Sequence, residues 1–144
     1  FTFVGAVFPV RGTHDFGGRG GRFGAGRSGH MHAGQDVMAG CGTPLVAARG
    51  GTVTMRARQA LAGNYLVIHD EVSGQDFMYA HLRERALVKK GQRVETGQAI
   101  GFAGDTGDAS ACHLHFEIWT APGWYAGGEP IDPLPSLRRW DAFS

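Results

Sequence analysis

At 144 residues the chain suits one domain, long enough to bury a real core without metals or disulfides for bulk stability. Hydrophobic residues make up 42% and charged residues 19%, which excludes a disordered chain. A net charge of +1 gives no argument for a nucleic-acid partner, and no run approaches the roughly 20 apolar residues of a membrane span.

The chain opens at Phe1 without a Met, so it is expected to be a mature or excised piece. Seven Gly and three Arg crowd Gly17 to Gly29, which reads as a flexible loop closed by His30. His14 is expected in a loop as well. His32-Ala33-Gly34-Gln35-Asp36 follows; Gly34 within it and Gly40 after it argue against a helix.

Short apolar runs then alternate with turn residues. Thr43 to Ala48, Gly51 to Arg56, Asn64 to His69, Asp76 to Leu82, Arg85 to Val88, Gln98 to Ala103 and His113 to Thr120 read as strands. Asp70, Ser73 and Gly74 occupy the turn after His69. Gly91-Gln92 and Gly97-Gln98, six residues apart, suit paired turns at strand ends. The tail from Ala121 holds four Pro and reads as an irregular closing segment, with a short turn of helix between Leu134 and Trp140. Many short strands with regular turns predict an all-β, antiparallel, sandwich-like single domain over 1–144, its core about 8–134.

Chemistry-bearing residues sit on several of these elements. In His113-Leu114-His115-Phe116-Glu117, alternation turns His113, His115 and Glu117 to one face and Leu114, Phe116 and Ile118 to the core. Two imidazoles about 7 Å apart along a strand can converge on one ion. Taken alone, such a pair more often marks exposed polar positions. His32 and Asp36 are suitable zinc ligands, and His30 has spacing that fits equally well. In Phe77 to Leu82, alternation places Tyr79 with His81, opposite Met78, Ala80 and Leu82. His69, at a strand end, reads as structural.

Together these pieces resemble the lysostaphin-like (LytM-domain) zinc endopeptidases. The likeness is carried by Phe23-Gly24 and Arg27 ahead of His32-x-Gly34-x-Asp36, then Gly42 to Ala48, Gly50 to Val53 and Gly63 to His69. It continues through Tyr79-Ala80-His81-Leu82, Gly91-Gln92-x-Val94, Gly97-Gln98-x-Ile100-Gly101, Gly104-x-Thr106-Gly107 and His113-Leu114-His115-Phe116-Glu117. It implies one zinc ion held by His32, Asp36 and His115, catalytic imidazoles at His81 and His113, and long loops around the site. It also implies a secreted or envelope-located enzyme cutting peptidoglycan peptides, expected to act as a monomer. A silent regulatory module of the same fold is the alternative, and the intact His81 and His113 speak against it. A lipoyl-like carrier fails because no Met-Lys or Asp-Lys dipeptide stands at the Gly-Gln turns.

Three protein ligands suit a catalytic zinc, which keeps an open position. With no His-Glu-x-x-His motif, the base must be an imidazole, His81 or His113. The resemblance leaves open which of them takes the proton from water and which serves the oxyanion or leaving amine. Glu117 could hydrogen-bond a ligand His. Tyr79 reads first as plain packing, with lining of the groove as the alternative. The Gly-rich loop could form one wall of the cleft, and Trp119, Trp124 and Tyr125 either another wall or core and surface packing. Cys41 and Cys112 flank segments that the shared ion would bring together, so a Cys41–Cys112 disulfide is expected, in keeping with an oxidising compartment.

Overall fold

The computed structural model describes residues 5–27 and 30–143. Among the described residues there are twelve strands: β1 His14–Asp15, β2 Gly26–Arg27, β3 His30–Met31, β4 Gln35–Ala39, β5 Pro44–Val46, β6 Gly51–Gln59, β7 Gly63–His69, β8 Asp76–Leu82, β9 Arg93–Val94, β10 Ala99–Phe102, β11 His113–Trp119 and β12 Pro130–Ile131. They also include one α-helix, α1, over Leu134–Ala142. It starts where expected and runs two residues further, packing Leu137 into the core.

The main sheet is antiparallel, in the order β1-β4-β11-β8-β7-β6-β9, with β12 also paired to β11. β5 and β10 form a two-stranded sheet beside it, and β2 and β3 a small hairpin. Leu114, Phe116 and Ile118, predicted for the core, do gather there, packed with Val37, Leu66 and Ile68 of the same sheet and Leu45 and Ile100 of the smaller one. A second cluster, Tyr65, Val67, Met78 and Ala80, covers the opposite face of β7 and β8. Among the described residues, no helix is long and apolar enough to cross a membrane.

The paired Gly-Gln turns form as anticipated. Gly91 and Gly97 adopt φ of 89° and 85°, which a turn with a left-handed third residue requires. The following Gln92 and Gln98 fold back, each side-chain oxygen accepting the N–H of the turn's first residue, Lys89 and Glu95.

Three expectations about secondary structure need correction. Arg85 to Val88 is not a strand. Ala86 and Val88 do point into the core, which explains the apolar alternation. The backbone there bonds singly, Leu87 N–H to Ile100 O, while Arg56 takes the Ala86 carbonyl. The Gly-rich stretch expected to be a flexible loop contains a 3-10 turn at Arg19–Gly21 and strand β2. His14 is likewise in a short strand, its ring held between Gly12 O and Asp141.

Candidate metal centre and catalytic cleft

β4 and β11 lie side by side, and their register sets Asp36 opposite His115. A close approach makes this pairing tight: a Cβ on Gly34 would collide with the Phe116 carbonyl and lie 2.9 Å from Glu117 Cγ. His32 reaches the same point from the segment between β3 and β4. Its backbone is fixed by bonds to Gly24 and Ala25. His32 Nε2, His115 Nδ1 and Asp36 Oδ1 then stand 3.0, 3.1 and 3.2 Å from one another.

The other ring nitrogen of each histidine settles what these atoms present. His32 Nδ1 is 2.9 Å from the Arg22 carbonyl, and His115 Nε2 is 2.7 Å from the Glu117 carboxylate. Both partners can only accept, so each of those nitrogens carries the proton. His32 Nε2 and His115 Nδ1 therefore offer lone pairs, aimed with the Asp36 oxygen at a common centre. At such separations the three atoms can share one cation: protons on the rings in the metal-free cluster, or a metal ion to which all three offer lone pairs once those protons leave. Zinc bound tetrahedrally at 2.0–2.2 Å sets its ligands about 3.3 Å apart, so the cluster fits that ion.

The electrostatics of the metal-free cluster follow the same geometry. Burial opposes a charged His115 ring, but hydrogen bonds to Asp36 and Glu117 and their negative charges outweigh it and raise His115 to about 9. Burial likewise works against the Asp36 carboxylate. Hydrogen bonds from His115 and His32 overcome it and hold Asp36 well below the usual carboxylate range.

His81 and His113 face this cluster. Their rings are 4.7 Å apart, and His81 is 5.9 Å from His115. Each is oriented by a backbone carbonyl: His81 Nδ1 by Thr106 O at 2.7 Å, His113 Nδ1 by Ala111 O at 2.9 Å. The protons therefore sit on Nδ1, and His113 Nε2 lies 3.5 Å from Asp36 Oδ1. Burial, helped by the neighbouring imidazoles, lowers His81 to about 4, so its ring is neutral at pH 7.

The alternation expected for β8 is broken at His81, where φ is 62°. This corrects the placement of Tyr79. Its side chain is fully buried on the core side against Phe116, its hydroxyl accepting the Ala48 N–H, and it lines no groove. Met78 and Ala80 face the cleft side instead, opposite Glu117 and His115. The left-handed residue then turns the His81 ring to that side.

The five polar residues line one cleft of about 580 Å3. Met31, Leu61, Trp124 and Tyr125 supply its apolar walls. Trp124 is anchored by its N–H to Asp76, whose other oxygen takes His69. The Gly-rich segment presses on Asp36: a Cβ on Gly21 would come within 3.1 Å of the Asp36 Cβ. Cys41 and Cys112 are joined in a disulfide, which ties the chain just after β4 to the start of β11. The His30 side chain lies outside the described residues. The orienting carbonyls of Arg22, Thr106 and Ala111 had no counterpart in the sequence reading, because every residue type carries the same backbone group.

The sequence pattern of peptidase family M23 matches residues 30–133. The chain belongs to that family. M23 peptidases are zinc-dependent, and zinc is the cofactor that the donor set of this M23 domain fits. The domain is 43% identical over 89 residues to the peptidoglycan DD-endopeptidase ShyA of Vibrio cholerae, covering 60% of this chain and 20% of that protein. Its fold matches a zinc-containing peptidase from Vibrio cholerae with a TM-score of 0.74 at 32% identity, over 89% of this chain and 39% of that one. It also matches the catalytic domain of lysostaphin from Staphylococcus simulans, with a TM-score of 0.72 at 30% identity over 88% and 92% of the two chains. The matched segment spans about a fifth of the length of ShyA and of other curated relatives it resembles.

Proposed function

We propose that this M23 domain hydrolyses peptide bonds in bacterial cell-wall peptidoglycan as a zinc endopeptidase outside the cytoplasm. In this reading His32, Asp36 and His115 hold the ion, and His81 and His113 handle protons at the scissile bond. The observation that carries it is the convergence of three fixed lone pairs beside two further imidazoles in one cleft.

When bound, zinc supplies Lewis acidity toward water and the scissile carbonyl. Three donors from the chain leave a tetrahedral position for water or substrate. The Nδ1 protons of His81 and His113 are held by Thr106 and Ala111, so their Nε2 atoms are free to accept. One takes a proton from the attacking water at its Nε2, and an imidazole so protonated passes that proton on to the leaving amine. Neutral His81 is ready to accept without first losing a proton, and could donate from Nε2 only after gaining one.

The positive φ at His81 also supports an active enzyme over a silent module. A left-handed non-glycine residue is costly backbone, kept where presenting a side chain matters. The disulfide supports an extracytoplasmic setting, since such bonds persist in oxidising compartments.

The test is digestion of purified peptidoglycans of defined cross-link chemistry, read by product masses, with and without a chelator. New peptide termini that vanish on chelation are expected. Intact cross-links in every peptidoglycan, with zinc demonstrably bound, would sink the proposal.

A further inference from the structure

Glu117 follows His115 by two residues on β11 and shares its face of the sheet. It is only 7% exposed, and a buried carboxylate is costly unless its oxygens are satisfied. Both are. Oε2 lies 2.7 Å from His115 Nε2, and Oε1 lies 2.7 Å from Trp119 Nε1. The indole nitrogen can only donate. Gly34 on β4 leaves room for this side chain, since a Cβ there would sit 2.9 Å from Glu117 Cγ.

We propose that Glu117 is a positioning residue for the metal: it pins the His115 proton on Nε2 so that Nδ1 faces the ion, and Trp119 locks the carboxylate in that pose. The idea rests on His115 being a ligand, as proposed above. Glu117 touches neither substrate nor the reacting atoms in this scheme. It acts through His115, whose alternative tautomer would point an N–H at the ion and block it.

The double hydrogen bond makes the idea unusually testable. Two N–H donors require two acceptors, and a carboxylate has them. Glu117→Gln offers one oxygen and one NH2. Its oxygen can serve Trp119 or His115, not both. If it serves Trp119, the NH2 faces His115 Nε2 and drives the ring to the wrong tautomer. Removing the indole donor frees the oxygen to turn back to His115. Zinc affinity should therefore fall about 10–100-fold in Glu117→Gln. It should recover substantially in Glu117→Gln/Trp119→Phe, a strongly non-additive cycle.

The experiment measures zinc dissociation constants by chelator competition for the parent, both single variants, the double variant and His115→Ala. Melting temperatures of the metal-free forms accompany it, as do the 15N shifts of the His115 ring recorded where that ring is neutral. Loss in Glu117→Gln, rescue in the double variant and a matching tautomer change would support the proposal. A role in packing alone predicts additive losses tracking the melting temperature, with an unchanged His115 tautomer, and that result would overturn it. His115→Ala separates the two levels. Unchanged zinc affinity there refutes the ligand reading itself, whereas lost affinity there with parental affinity in Glu117→Gln refutes only the role of Glu117.

Discussion

Replacing both cysteines by serine should cost this domain about 4 kcal/mol of stability. The bond joins positions 71 residues apart. Closing a loop of that length removes about 15 cal/mol/K of entropy from the unfolded chain, or about 4.4 kcal/mol at 25 °C. The chain has 144 residues. At about 2.1 cal/mol/K per residue its unfolding entropy is about 300 cal/mol/K, so the midpoint should drop by about 15 °C. Calorimetry of metal-free Cys41→Ser/Cys112→Ser beside the parent measures this, and reduction of the parent by a phosphine should produce a similar fall. Zinc stoichiometry should stay at one, because the bond lies outside the ligand cluster. A midpoint within about 3 °C of the parent would refute the reasoning. It would mean that contacts between β4 and β11 survive in the unfolded ensemble and already restrict that loop.

Other consequences follow from the site. His81→Asn should cut turnover about 10²–10⁴-fold while zinc content stays at one per chain; Asn is chosen because it tolerates the φ of 62°. Loss of zinc in that variant, by elemental analysis, would remove His81 from its proposed role. In the metal-free protein, His115 is raised to about 9, so the stability it contributes below 6.5 is lost as pH rises through 9. His81 is lowered to about 4, and its effect has the opposite sense: stability falls as pH drops from 6.5 toward 4. Denaturant titrations should therefore find maximal metal-free stability near pH 6.5. At pH 7 to 8, zinc should displace close to one proton from His115, read by calorimetry in buffers of different ionisation enthalpy. Gly34→Ala should lower both the melting temperature and zinc affinity, since its methyl group meets the Phe116 carbonyl and Glu117; overpacking of this kind costs about 1–3 kcal/mol.

The sequence was most readable where one periodicity governs a whole strand. β11 shows this: Leu114, Phe116 and Ile118 belong to the core, and His113, His115 and Glu117 face the cleft, as alternation alone requires. β4 was harder. Its fully buried residues include a glutamine, Gln35, whose amide is spent on backbone carbonyls, and Gly34 before it weakens any strand signal. β1, β9 and β12 have two residues each, too few to show a period. The segment Arg85 to Val88 shows the converse, because inward-pointing side chains can alternate without a ladder of backbone bonds.

The misplacement of Tyr79 has a single cause that bears on function. Alternation assumes extended backbone throughout, and from His81 backward it assigns Tyr79 to the cleft. One left-handed residue shifts the frame by a face. The His81 N–H bonds the Ala62 carbonyl, and its ring bonds the Thr106 carbonyl, so two loops hold the residue in that conformation. With Tyr79 on the core side, regular backbone would have sent the imidazole into the core beside it. The strand gives up its regularity at the residue proposed as a proton acceptor, and places that strain where neighbouring loops can hold it. A pattern-based reading therefore fails at His81 for the same physical reason that its ring reaches the cleft, as the proposed role requires.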